Sequence, residues 1–231
     1  MPKAAFFFDI GHTLVTGAAQ SPRRLLESAL GLNEHQTKAV GKLIMTLWAE
    51  TPETISEAVA RLLPNIEPSL VAQEVRRIWD DQIACVREIP EATALIRRLK
   101  QAGHSVGLIS NIWHPFFLGF QKRCAEIEAL TDFQFLSYRM GVKKPAQDLF
   151  QKAVDAARRR GFAPCWMVGD SYELDMAPAR LVGMQSLWIL CRPERERDIL
   201  AEILNGKREP PDGSVPELKD VFGFLQEKGY L

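Results

Sequence analysis

The sequence predicts an α/β fold: a doubly wound parallel sheet with an all-α segment inserted after its first strand. Three observations carry that expectation. From Val86 onward, short apolar runs alternate with helical patterns, as strands and crossover helices do in a parallel sheet. Between Ser21 and Ala84, four helical patterns follow one another with no strand between them. Chemically capable side chains stand directly after the strand-like runs, which is where ligands bind in such sheets.

The first strand is Ala4 to Phe8, a short aromatic run bounded by Pro2 and Gly11. Ser21-Pro22 supplies an N-cap and a proline at the first helical position, and that helix stops near Gly31. A second helix spans about Glu34 to Glu50, a third opens at Thr51-Pro52 and ends at Pro64, and a fourth runs from Glu67-Pro68 to about Ala84. Trp48 and Trp79, at helical spacing with Leu and Ile, read as core of this segment. Pro90 to Ala102 is amphipathic, with Ala94, Leu95, Leu99 and Ala102 on one side, and Gly103 ends it. Then come a strand at Ser105–Ile109, a helix over about Pro115–Leu130 and a weaker strand at Phe133–Ser137. A helix over Ala146–Arg160 ends at Gly161 and precedes a strand at Cys165–Val168, a helix at Ala177–Val182 and a strand at Ser186–Leu190. Asn205 to Pro216, rich in Gly and Pro, reads as a loop before a closing strand-turn and helix over Val215–Lys228. The implied division is an α/β core of residues 1–17 and 86–231 around a helical segment of residues 18–85.

Charge and composition exclude several functions. Twenty-nine basic residues balance 29 acidic ones, so the basic excess that nucleic acid or anionic membranes require is absent. Arg158–Arg160 and the mixed run Arg192–Asp198 read as solvated helix faces. The four cysteines form no CxxC pair, which fits reduced and mostly buried thiols. No apolar run approaches the ~18 residues of a membrane span, and Asp9 interrupts the N-terminal apolar run that a secretion signal needs. A cytoplasmic protein is expected. Phosphate-loop, dinucleotide, nucleophile-elbow and HExxH signatures are all absent.

What remains lies at strand ends. Asp9 follows the first strand; Ser110-Asn111 follows "SVGLI"; Lys143 and Lys144 follow the weaker strand; Gly169-Asp170-Ser171 follows "CWMV", with Asp175 five residues after Asp170. Each has a bland reading: a turn or cap aspartate, a surface lysine pair, a helix cap. Together at one sheet edge they make a site. Three carboxylates in one place repel unless a cation neutralises them. Hard oxygen donors suit Mg²⁺, and a lysine is a point charge for phosphate or carboxylate.

In this order, "FFFDIGHTL", "GLISN", "GVKKP" and "MVGDSYELDMAPARLVGM" resemble the four motifs of the haloacid dehalogenase (HAD) superfamily, over roughly residues 4–17 and 86–205. The helical segment stands where that superfamily inserts a helical cap. The resemblance implies a Mg²⁺-dependent phosphatase acting on a small phosphorylated metabolite. Asp9 would be the nucleophile that forms an aspartyl-phosphate. Ser110, Asn111, Lys144 and Thr13 would serve the phosphate and its loop. Asp9, the Gly11 backbone oxygen and Asp170 would hold the metal, with Asp175 behind them. One position departs from the pattern. Gly11 stands where the phosphatases of the superfamily have a second aspartate for proton transfer, a function contributing about 10²–10⁴-fold. His12 is adjacent and of suitable chemistry. Two other readings stay open on Gly11: a non-catalytic phospho-ligand binding or regulatory protein, and a 2-haloacid dehalogenase in which Asp9 attacks carbon.

Overall fold

A computed structural model describes residues 3–231. Six strands form one parallel sheet: β1 (Ala5–Phe8), β4 (Ser105–Ser110), β5 (Phe133–Leu136), β6 (Cys165–Gly169), β7 (Gln185–Ile189) and β8 (Gly213–Val215), ordered β5-β4-β1-β6-β7-β8. A two-stranded antiparallel ribbon joins β2 (Val15–Thr16) to β3 (Arg87–Glu88). The chain builds outward from β1 to β4 and β5, then crosses back to β6, β7 and β8. The strand order therefore reverses beside β1, and such a switch point opens a crevice at the carboxyl ends of the strands.

β1 explains the run of phenylalanines. Alternate side chains point to opposite faces of a strand. Phe6 and Phe8 enter one apolar cluster and Phe7 the other, and all three are fully buried. Each contributes about 1.5–3 kcal/mol by leaving water. Helices cover both faces. α5 (Ala92–Gln101), α6 (His114–Arg123), α7 (Ala125–Leu130) and α12 (Val221–Glu227) pack on the Phe6 side. α9 (Gln147–Arg159), α10 (Ala177–Leu181) and α11 (Arg197–Leu204) pack on the Phe7 side.

Between β2 and β3 lie α1 (Pro22–Leu30), α2 (Glu34–Thr46), α3 (Pro52–Leu62) and α4 (Pro68–Ala84). They share a separate apolar cluster with Leu26, Ile44, Val59 and Trp79 at its centre, joined by Trp113 from the start of α6. Pro22 stands at the start of α1 and Gly31 ends it at φ 62°, but the Ser21 side chain makes no cap bond. Asn33 and Gln36 close α2 with a reciprocal capping box.

Several elements differ from expectation. The long helix at 115–130 breaks at Cys124 into α6 and α7. The Gly- and Pro-rich stretch at 205–216 is not all loop, because Gly213–Val215 pairs in register with β7 as an edge strand. Trp48 is 52% exposed and stands edge-on to Tyr138 rather than in the helical core, because α2 stops at Thr46 before reaching it. Of the thiols, Cys124 and Cys165 are buried, Cys85 is half-buried and Cys191 is exposed. Among the described residues no helix is long and apolar enough to cross a membrane.

Candidate active site

Each strand of the central trio delivers one group to the same edge. Asp9 leaves β1 with its N–H donating to the Val168 carbonyl at 2.9 Å, which ties it to β6. Ser110 is the last residue of β4 and is buried. Asp170 follows β6, and its carbonyl accepts the Trp188 indole N–H at 3.1 Å. A single π-helical turn, Tyr172–Met176, then swings Asp175 back beneath the strand end, where its Oδ2 accepts the Ser171 N–H at 3.1 Å. Such turns recur at functional sites. Gly169 makes room for this return, since a Cβ there would collide with the Asp175 carboxylate.

Lys144 comes from the loop between a short helix, α8 (Ser137–Met140), and α9. It is 2% exposed, and its Nζ donates to Asp9 Oδ1 at 2.8 Å and to Asp175 Oδ1 at 2.5 Å. Asn111 positions it: the amide Oδ1 accepts the Lys144 N–H at 2.7 Å while Nδ2 donates to the Lys144 carbonyl at 3.0 Å. The Asn111 side chain is thus committed to the lysine loop, which leaves only its backbone N–H for a phosphate. Lys143, its neighbour, is absent from this network.

Oxygen atoms of Asp9, Asp170 and Asp175 all lie within 4.8 Å of one another. Burial works to lower the Lys144 pKa, but the charges of Asp175 and Asp9 and their hydrogen bonds outweigh it and hold the ammonium well above its usual value. Burial raises the Asp175 carboxyl, opposed by Lys144. Burial and then the Asp9 charge raise Asp170, opposed by an ion pair with Arg192. Three oxygen-donating carboxylates with two cations already drawn among them fit a small divalent ion that prefers oxygen.

Arg192 corrects the reading of the run 192–198 as a solvated face. It pairs with Asp170 because it follows the end of β7, at the same sheet edge as the other groups. The strand-end rule applied to β7 would have found it. The other basic run, Arg158–Arg160, is exposed as expected. Glu173 turns away to Arg208, and the Tyr172 hydroxyl donates to the Glu209 carbonyl.

Gly11 and His12 lie in the turn between β1 and β2. A Cβ on Gly11 would meet nothing within 4 Å. His12 adopts φ 59°, and its N–H donates to the Val15 carbonyl at 2.7 Å. Burial, with Arg192 and Arg195 nearby, lowers its pKa against the pull of Asp9. Thr13 is fully buried with its hydroxyl unpartnered among the described residues. Above the turn opens a cavity of about 610 Å³, walled by Gly11, His12 and Asn111 from the strand ends and by residues of α1 and α4. A larger cavity of about 790 Å³, between α5 and the C-terminal segment, touches none of these groups.

Comparison with known proteins agrees with the geometry. A family model described as haloacid dehalogenase-like hydrolase matches residues 3–183. A glyceraldehyde 3-phosphate phosphatase of Pyrococcus abyssi is 28% identical over 190 residues, 79% of either chain. The HAD hydrolase YfnB of Bacillus subtilis, solved with magnesium, superposes with a TM-score of 0.59 at 17% identity, over 98% of this chain and 100% of that one. A HAD family enzyme of Bacteroides thetaiotaomicron, solved with magnesium and inorganic phosphate, gives 0.61 at 16% identity over 81% and 94%. At these identities the two solved structures attest the fold.

Proposed function

The chain belongs to the haloacid dehalogenase-like hydrolase family, and on that premise we propose that it is a Mg²⁺-dependent phosphatase of a small phosphorylated metabolite, working through Asp9. The observation that carries this reading is the Lys144 ammonium buried between Asp9 and Asp175. A carboxylate nucleophile in a buried site needs a fixed positive partner, and stabilising charge is the main task in phosphoryl transfer. The relatives named for glyceraldehyde 3-phosphate support a small phosphate ester as substrate.

In this reading an Asp9 oxygen attacks phosphorus. The P–O bond to the substrate alcohol breaks, and the alcohol oxygen departs with the bonding pair. Water then attacks phosphorus of the acyl phosphate, the Asp9 oxygen leaves with the bonding pair as the restored carboxylate, and the two protons of water end on the alkoxide and on the released phosphate. The Ser110 hydroxyl and the Asn111 N–H bind phosphoryl oxygens. Lys144 holds Asp9 in position and offsets its charge. Asp9, Asp170 and the Gly11 carbonyl would hold Mg²⁺, with Asp175 behind them. The ion, when bound, neutralises charge on the transferring group. Arg192 must yield Asp170 for that. Gly11 offers no proton to the leaving oxygen, so turnover favours esters of acidic alcohols. Residues 18–85 act as a cap over the cavity and residues 1–17 and 86–231 as the core.

Hydrolysis of p-nitrophenyl phosphate against Mg²⁺ concentration tests the reading. The wild type is expected to gain activity with the metal, and Asp9→Asn to lose it. Equal rates for the two proteins at every metal concentration would end the proposal. Halide release from a 2-haloacid in the presence of chelator would point to attack at carbon instead.

A further inference from the structure

The cavity above the site has a one-sided chemistry. Its wall carries Arg23, Arg24 and Arg195 and not one carboxylate, in a chain whose charges otherwise balance. Arg24 is spoken for, since it pairs with Glu27 at 2.6 Å. Arg23 and Arg195 have no acidic partner among the described residues, so both guanidiniums are free for an anion in this cavity. Two further side chains belong to the same wall. Gln82 and Trp113 are 3% and 1% exposed, and Gln82 Nε2 and Trp113 Nε1 have no hydrogen-bond partner among the described residues.

Resting on the phosphatase reading above, we propose that this cavity binds a second anionic group of the substrate, remote from the phosphate that Asp9 attacks. The substrate class is then a small phosphate ester that also carries a carboxylate or a second phosphate, not a neutral polyol or aldehyde. Arg23 and Arg195 are the residues that select it. Their planar forks match either anion bidentately. They also come from different parts of the molecule: Arg23 from α1 and Arg195 from the segment after β7. An anion held by both links the helical segment to the sheet edge. A neutral end makes no such link and leaves both guanidiniums to water.

Isothermal titration of Asp9→Asn with Mg²⁺ present tests this by binding alone, using glycerol phosphate, phosphoglycerate and propanediol bisphosphate as matched three-carbon probes. Hydrogen bonds to charged groups are strong enough for the anionic probes to bind about tenfold or more tightly than glycerol phosphate. Adding Arg23→Gln or Arg195→Gln to Asp9→Asn should remove most of that difference. Both arginines are exposed, so these substitutions leave the core intact. Tighter binding of phosphoglycerate identifies the second group as a carboxylate, and tighter binding of the bisphosphate identifies it as a phosphate. Equal affinity for all three probes, or a preference that survives both arginine substitutions, overturns the inference. Wild-type turnover separates the two claims. If the preference holds but the wild type hydrolyses neither the probes nor p-nitrophenyl phosphate at any Mg²⁺ concentration, the phosphatase reading falls and the anion site stands. If the probes bind alike and p-nitrophenyl phosphate is hydrolysed, the anion site falls alone; if no probe binds and p-nitrophenyl phosphate is not hydrolysed, both fall.

Discussion

Replacing Lys144 by methionine keeps the stem of the side chain and deletes its charge. The wild-type ammonium is 2% exposed and bonds Asp9 and Asp175 at 2.8 and 2.5 Å. Without it, Asp9 and Asp175, whose oxygens lie within 4.8 Å of each other and of Asp170, lose the cation that pairs them, while Asp170 keeps Arg192. At an effective dielectric of about 20, two unit charges at that separation repel by about 3.5 kcal/mol. Removing one partner of a buried ion pair costs about 3–5 kcal/mol for the same reason. For a chain of this size each kcal/mol moves Tm by roughly 2–4 °C, so the expected fall is roughly 6–20 °C in chelator. A divalent ion among the same carboxylates replaces much of the missing charge, so the fall should be clearly smaller in saturating Mg²⁺. Differential scanning calorimetry of both proteins, with chelator and with Mg²⁺, measures all four values. A Lys144→Met protein as stable as wild type in chelator, or one whose deficit ignores Mg²⁺, would refute the electrostatic account of the site.

Gly11→Asp adds a carboxyl where a Cβ meets nothing within 4 Å, so it tests the missing proton transfer without disturbing packing. It should raise turnover of alkyl phosphates by up to about 10²–10⁴-fold. The gain for p-nitrophenyl phosphate, whose leaving group needs no proton, should be much smaller. Equal gains, or none in a folded, Mg²⁺-binding protein, would contradict the role given to this position. Arg192→Gln frees Asp170 from its ion pair, so calorimetric titration should show Mg²⁺ binding on the order of tenfold tighter; unchanged affinity would show that Arg192 does not compete with the metal. Asp132 accepts from Lys100 Nζ at 2.5 Å, Ser105 Oγ at 2.8 Å and the Val106 N–H at 2.9 Å. Asp132→Ala should cost about 2–3 kcal/mol in urea unfolding at neutral pH. Burial opposes ionisation of Asp132, but these bonds prevail and its folded pKa is lowered. Its charge therefore stabilises above the unfolded value of about 3.9, and the deficit of the variant should shrink as pH falls through and below that value.

The groups legible from sequence were those whose neighbours left no alternative. Asp9 follows five buried residues and Asp170 follows a buried strand, so each had to emerge at a strand end. Lys144 was legible through its place in the order of motifs, although the amide clamp that aims it bridges 33 residues and has no local signal. Arg192 and Arg195 were hidden in a charge-rich run, because charge density alone describes a solvated face equally well. Only the end of β7 three positions earlier distinguishes Arg192. β2 and β3 have two residues each, too few to show alternation. The edge strand Gly213–Val215 owes its conformation to β7 rather than to its own composition. Trp48 showed the helical spacing of a core residue, but α2 ends at Thr46, two positions before it.

The pair of bonds between Asn111 and Lys144 has a mechanical consequence. A primary amide reads both a donor and an acceptor, much as one base reads another, and no other side chain of that length offers both. An aspartate in its place would lose the bond to the Lys144 carbonyl, and a serine would be too short to span both. The β4 terminus and the lysine loop therefore travel as one rigid piece. Whatever bending the ribbon of β2 and β3 permits, Ser110 and Lys144 keep their mutual spacing. The part of the site that grips an anion is thereby insulated from motion elsewhere in the chain, and position 111 is constrained without needing to touch a substrate with its side chain.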